Sequence, residues 1–324
     1  MEFFFYLLLI LAGVHLYRYY WMNKELDRLH FADFDGDIYS VGDTVIAVQK
    51  PEGEPTKSII CVPGFLEDMR YFLDVYRDQG YELILINNAQ YHSPFSLRQV
   101  RQLSWPSNPF KVGTIEHDGF YVAQAIKDLA STEDIVLHGH SRGGAVMLDA
   151  GRQFPELMAN VSALLEAPVL PQAKPATKGN ETVVKWVFAY MIPLVFPTMR
   201  KISTKQLLRN PMMHPYNDLK VGLLKSLFST QQNYAVCVEN VTNIADWQKK
   251  NFYDVYNHIK NITVLMGERD HVLSNKAMLA SAQQDGKINV VQTAKTNHFI
   301  SLEQPHYVQQ AVAQIGGGAE VVSA

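Results

Sequence analysis

At 324 residues, with 47% hydrophobic residues and a formal net charge of −3, the chain is long enough for one large domain carrying an insertion. That charge, without a basic patch interleaved with aromatics, argues against a nucleic-acid partner. Two cysteines, Cys61 and Cys237, give no basis for a disulfide framework.

Residues 3–14 are apolar without interruption, and the pattern continues through Trp21 with His15 and Arg18 as polar breaks. A helix over residues 3–21 is about 28 Å long at 1.5 Å per residue, close to the ~30 Å hydrocarbon core of a bilayer. Tyr17, Tyr19, Tyr20 and Trp21 form an aromatic cluster of the kind found at headgroup level, and Arg18 is long enough to snorkel. Glu2 stands where a signal peptide has a basic region, and no small-residue cleavage site follows. The apolar residues form no single stripe, which argues against a core helix. Residues 1–22 therefore read as a single-pass anchor in the cell membrane, and 23–36 as a juxtamembrane linker. Arg18, Lys24 and Arg28 on the C-terminal flank favour a cytoplasmic position for the rest of the chain.

Beyond residue 37 strands and helices alternate, the pattern of a mostly parallel sheet covered on both faces. Residues 37–48 read as two strands around Gly42-Asp43, and 58–62 as a buried third strand with the exit loop Pro63-Gly64-Phe65-Leu66. A helix is expected over 69–79, a strand over 81–87, a helix over 118–129 and a strand over 134–138. Gly139-His140-Ser141-Arg142-Gly143 follows, and then a helix. A further strand, 161–165, is closed by Glu166.

Residues 168–250 break the alternation and read as a helical cap, entered through a polar linker at 172–180. Its apolar run, 183–197, is too short and too interrupted by proline to span a bilayer comfortably. Part of that run is expected to line an apolar tunnel or to face a membrane. Phe65, Met191, Phe196 and Met199 are the candidate substrate-lining residues, methionine being an adaptable liner. The strand 261–266 leads into Gly267-Glu268-Arg269-Asp270, and the strand 287–293 leads through 294–297 to His298. A helix begins near 302–305, and 316–324 form a glycine-rich flexible tail.

The stretch at 139–143 is G-x-S-x-G between a strand and a helix. A sharp strand-to-helix turn lifts a serine hydroxyl out of the sheet edge. Serine is a poor nucleophile without a base, and the base needs an orienting acid. Loops after parallel strands open at one edge, so Ser141, Asp270 and His298 leave on the same side. Glu166 is the rival acid; Glu268 and Asp254 read as surface charges. Of the other histidines, His138 and His140 flank the serine and read as packing or orienting loops, His92, His117, His214 and His271 read as structural, and no spacing supports a metal site.

These motifs resemble those of the α/β-hydrolase superfamily. The matching pieces are Gly139-His140-Ser141-Arg142-Gly143, Gly267-Glu268-Arg269-Asp270 and Asn297-His298-Phe299 with Glu303-Gln304-Pro305. The resemblance implies an α/β fold with a core at 37–167 and 251–315. It implies a nucleophile at Ser141, an acid at Asp270 and a general base at His298, with no cofactor or metal. The oxyanion donors are then the amides of Arg142 and Phe65; family members often carry His-Gly where this chain has Pro63-Gly64. The layout is also similar to that of membrane-anchored bacterial phospholipases A and lysophospholipases, which can work outside the cytoplasmic leaflet, so the side of the membrane stays open. The expected function is hydrolysis of carboxylic esters of lipid-like molecules: lysophospholipid, phospholipid or acylglycerol. A perhydrolase or acyltransferase would use the same triad, and a non-catalytic membrane scaffold is the alternative from another class. The expected partners are the substrate and the bilayer, with a homodimer left open.

Overall fold

The computed structural model describes residues 2–29, 31–173 and 180–315. The glycine-rich tail at 316–324 and most of the polar linker at 172–180 lie outside the described residues. A nine-stranded sheet runs in the order β5-β1-β2-β4-β3-β6-β7-β8-β9. Its strands are β1 (Asp37–Val41), β2 (Thr44–Gln49), β3 (Ser58–Val62), β4 (Glu82–Ile86), β5 (Val100–Gln102), β6 (Ile135–His140), β7 (Ser162–Glu166), β8 (Asn261–Gly267) and β9 (Asn289–Thr293). β2 pairs antiparallel with β1 and β4; every other pairing is parallel. The central strands β3, β4 and β7 are buried along their whole length, as a sheet covered on both faces requires.

The helices in chain order are α1 (Glu2–Asn23), α2 (Ile115–Asp128), α3 (Arg142–Gln153), α4 (Pro155–Met158), α5 (Glu181–Met199), α6 (Thr204–Leu207), α7 (Asp218–Ser226), α8 (Tyr234–Lys250), α9 (Asn275–Ala282), α10 (Ile300–Glu303) and α11 (Pro305–Gln314). Two apolar layers flank the sheet. One joins Ile60, Ile84 and Leu137 to residues of α2 and α3 such as Val122 and Val146. The other joins Ile59, Leu85 and Val136 to Phe72, Phe299 and Val312, and reaches the cap through Phe196, Leu224 and Tyr234. Alternate residues of β3 and β6 feed opposite layers, as the pleat dictates.

Three segments differ from the sequence reading. The helix expected over 69–79 is a single 3₁₀ turn, Met69–Phe72, followed by further turns. Asp68 accepts from the Arg70 amide and binds its guanidinium, and i→i+3 bonds recur at Leu73, Arg77 and Gln79. Met69, Tyr71, Phe72, Val75 and Tyr76 are all buried, so the segment is pulled flat onto the sheet and tertiary packing overrides helix propensity. β5 is a three-residue edge strand too short to carry a periodic signal. The apolar run of the cap is one unbroken helix, α5, with Pro193 and Pro197 inside it. By length and composition it reaches membrane-spanning size, as α1 does. Of the predicted lining residues, Phe196 is buried against Phe228 and Tyr234, Met199 is half-buried, and Met191 is exposed.

Candidate active site

The turn from β6 into α3 places Ser141 at φ +51° and ψ −115°, a conformation that bulky side chains avoid. Its backbone is tied on both sides: the amide donates to Glu166 O at 2.9 Å, and its carbonyl accepts from Val169 N at 2.9 Å and Gly144 N at 3.0 Å. The turn closes only because Gly139 and Gly143 lack side chains. A Cβ on Gly139 would strike the Gly143 carbonyl, and one on Gly143 would strike the Val62 carbonyl.

Asp270 and His298 meet at this turn. Asp270 follows β8, and its Oδ1 accepts from the amides of Val272 (2.7 Å) and Leu273 (2.9 Å). That leaves Oδ2 for His298 Nδ1, at 2.8 Å. Burial works to raise the Asp270 pKa, but the His298 ring and the two amides outweigh it and hold the carboxyl below its ordinary range. Asn297 Oδ1 accepts from the amides of His271 and His298, pinning the two loops together. The His298 carbonyl accepts from the ring of His140, the residue before Ser141, at 3.0 Å. Among the described residues the Ser141 hydroxyl makes no hydrogen bond, so the Ser141–His298 contact is not closed in this conformation. Catalytic hydrogen bonds often tighten only when substrate binds.

The predicted oxyanion amides stand free. Gly64 N donates to Glu67 Oε2 (2.8 Å) and Leu66 N to Tyr91 Oη (3.2 Å); between them, Phe65 N has no acceptor among the described residues. Arg142 N, at the start of α3, has none either. Leu66 sits at φ +70°, costly for a branched side chain. Cap residues hold it there: Thr230 Oγ1 donates to Leu66 O at 2.5 Å, and Tyr91 Oη donates to Asn240 at 2.9 Å.

Sequence reasoning missed the buried ion pairs beneath these groups. The Arg142 side chain is fully buried and bonds Asp118 (2.7 Å), Asn88 (2.9 Å) and Gly113 O (3.2 Å). Burial works against a charged Asp118, yet Arg142 and His117 keep its carboxyl below the ordinary range. Lys220 of the cap bonds Glu303, whose other oxygen accepts from Asn297 N beside the histidine. Glu67 pairs with His140 at 2.7 Å.

Glu166, the rival acid, does not touch His298. It accepts from Tyr71 Oη (2.6 Å), His138 Nε2 (3.0 Å), and the amide and hydroxyl of Ser301 (both 2.6 Å). Burial pushes its pKa up, but these donors and the His140 charge outweigh burial and bring it down to about 2. Among the described residues no three His, Cys, Asp or Glu side chains gather as a metal site. A groove of about 440 Å³ is lined by Arg18, Trp186, Tyr190, Met191 and neighbours, so Met191, on α5, borders a groove shared with α1; none of Ser141, Asp270 or His298 borders it.

The fold can now be placed. The chain has the α/β-hydrolase fold. An esterase from Exiguobacterium antarcticum superimposes with a TM-score of 0.66 at 13% identity, covering 87% of this chain and 100% of its own. An esterase from Thermogutta terrifontis does so with a TM-score of 0.56 at 17% identity, covering 83% and 93%. A lipase-esterase related protein from Clostridium acetobutylicum gives a TM-score of 0.59 at 12% identity, covering 85% and 100%. No protein-family model matches the chain, and no curated protein matches it in sequence.

The Arg142 side chain carries a testable stability role. Arg142→Met leaves Asp118 buried without its counter-ion, which is expected to cost roughly 3–5 kcal/mol. Chemical denaturation of wild type and variant measures this; a loss below 1 kcal/mol would show the pair to be dispensable.

Proposed function

We propose that the protein is a membrane-anchored serine hydrolase that cleaves carboxylic esters of lipid-like molecules. One observation carries the catalytic part: the Asp270–His298 pair lies beside a strained serine turn whose two neighbouring amides are unpaired. Esterase neighbours of the same fold support the reaction class.

In this reading Asp270, bound to Nδ1, fixes the His298 tautomer and leaves Nε2 as the base. His298 Nε2 takes the Ser141 proton as Oγ attacks the ester carbonyl. The amides of Phe65 and Arg142 receive the developing oxyanion, each worth about 3 kcal/mol. On collapse the alcohol leaves with the proton from His298. Water then attacks the acyl-enzyme, again giving a proton to Nε2, and the carboxylic acid departs as Ser141 is restored.

The lipid part rests on the surface. Every described residue of α1 is exposed or half-buried, and its apolar side chains face all directions. α5 packs against α1, with Arg18 Nε donating to Tyr190 O at 3.3 Å and its guanidinium 4.9 Å from the Tyr190 ring. α5 also leaves Val183, Trp186, Val187 and Phe188 exposed, Trp186 at 62%. Two adjacent apolar helices, bordered by aromatic and basic side chains, suit a bilayer surface better than water.

Ser141→Ala is expected to abolish labelling by a fluorophosphonate probe and to lower ester turnover by about 10⁶. Asp270→Asn should cost roughly 10³- to 10⁴-fold, far more than Glu166→Gln. Failure of folded wild type to label would favour the non-catalytic scaffold. For the surface, the full chain in vesicles with brominated acyl chains should show quenching of the Trp186 fluorescence, obtained by difference from Trp186→Phe. Quenching elsewhere without a Trp186 component would place the cap off the membrane; failure to co-sediment with vesicles would overturn the anchor.

A further inference from the structure

His138 and His140 alternate along β6, and their hydrogen bonds place different demands on protonation. His138 Nε2 faces Glu166 at 3.0 Å, while its Nδ1 faces Tyr76 Oη at 2.7 Å. A hydroxyl donates as well as accepts, so a neutral ring satisfies both contacts. Burial accordingly pushes the His138 pKa down despite Glu166. His140 has no such choice. Its Nδ1 faces Glu67 Oε2 at 2.7 Å, and its Nε2 faces the His298 carbonyl at 3.0 Å. A carboxylate and a carbonyl both accept, so both ring nitrogens must donate.

The partners of His140 belong to the two loops that flank the candidate catalytic centre. Glu67 Oε2 also accepts from Gly64 N at 2.8 Å, the residue before the free Phe65 amide. The other side of Gly64 is bound too: its carbonyl accepts from Asn88 Nδ2 at 2.9 Å, and Asn88 Oδ1 accepts from Arg142. The His298 carbonyl belongs to the proposed base itself. We propose that His140 is a positioning residue, held as a buried imidazolium by Glu67, that clamps the oxyanion loop to the backbone of His298. The inference deepens the serine-hydrolase reading and rests on it for its kinetic consequences.

The surroundings fit a retained charge. Glu67 and Glu166 are the anionic groups facing the ring; Tyr71 stacks on it at 4.3 Å and 16°, and the rings of His298 and Phe299 lie at 4.9 and 5.6 Å. His138, whose pKa burial pushes down, opposes the charge only weakly. Burial disfavours the imidazolium, but Glu67 and then Glu166 outweigh it and lift the pKa to about 9. The sign of the pH effect follows. Below the ordinary histidine value, near 6.5, the clamp is fully present, and it is lost as pH rises through about 9. The remaining proton stays on Nδ1, against the carboxylate. Nε2 then turns a lone pair toward the His298 carbonyl, and that link opens.

The test uses the full chain in detergent micelles with a soluble nitrophenyl ester, after fluorophosphonate labelling has confirmed Ser141. His140→Gln should lower kcat roughly 10- to 100-fold with KM little changed, the cost of a small misplacement of donors and base. In wild type kcat should fall on an alkaline limb near pH 9, and Glu67→Gln should move that limb toward neutral pH. Nitrogen-15 histidine spectra of wild type give a readout independent of turnover and of variant folding, the His140 signals being assigned by their loss in the variant. An imidazolium pattern persisting to pH 8 supports the clamp. A neutral His140 at pH 7 overturns it, as does an alkaline limb identical in wild type and Glu67→Gln. Absence of Ser141 labelling instead sinks the hydrolase reading and leaves the spectroscopic answer standing.

Discussion

Charge buried at the carboxyl edge of the sheet is the constraint around which this molecule is organised. β6 carries two imidazoles in alternate positions and is followed by a serine and then a fully buried arginine. Neither the imidazoles nor the arginine tolerate burial unpartnered, since a buried polar group needs a hydrogen bond and a buried charge a counter-ion. Each therefore recruits a carboxylate from another element: Glu166 from the end of β7, Glu67 from the loop after β3, Asp118 from α2. Those recruits carry the surrounding loops with them. The Glu67 link fixes Gly64, the Asp118 link fixes Arg142, and the Glu166 link gathers Tyr71 and Ser301. The site is thus shaped by the need to neutralise and hydrogen-bond what the central strand buries.

The same logic separates what the sequence makes legible from what it hides. The serine turn is legible because its glycines answer a local steric demand, stated within five residues. The loops carrying Asp270 and His298 are legible because each follows a short, strongly apolar strand, and parallel strands deliver their exits to one edge. Partnerships are another matter. Nothing local marks Glu67 as the partner of a residue 73 positions later, or Lys220 as that of Glu303, 83 positions away. The ambiguity over Glu166 has the same origin. A carboxylate ending a buried strand looks the same whether it serves the base or a neighbouring histidine, and only the geometry separates the two. The flattened segment after Asp68 fails for a related reason, because its apolar residues answer to the sheet beneath them.

The cap is more than a cover. Asn240 and Thr230 brace the turn at Leu66, Lys220 anchors the loop of the candidate base through Glu303, and Asn217 Nδ2 donates to Leu302 O at 2.6 Å. α5 meanwhile meets α1 through Arg18 and Tyr190. The cap therefore touches the proposed anchor, the proposed oxyanion loop and the loop of His298 at once. Such a position would link the proposed surface attachment to the candidate site through packed and hydrogen-bonded elements, without any single residue spanning the distance.

The left-handed backbone at Leu66 has an architectural consequence. Left to itself, that residue would relax toward an ordinary conformation and turn the neighbouring peptide away from the candidate nucleophile. What prevents it comes from a segment some 160 positions downstream. Here the insert supplies a hydrogen bond to the Leu66 carbonyl that the core lacks, so exchanging the insert for another would leave the proposed anion-binding loop without that brace.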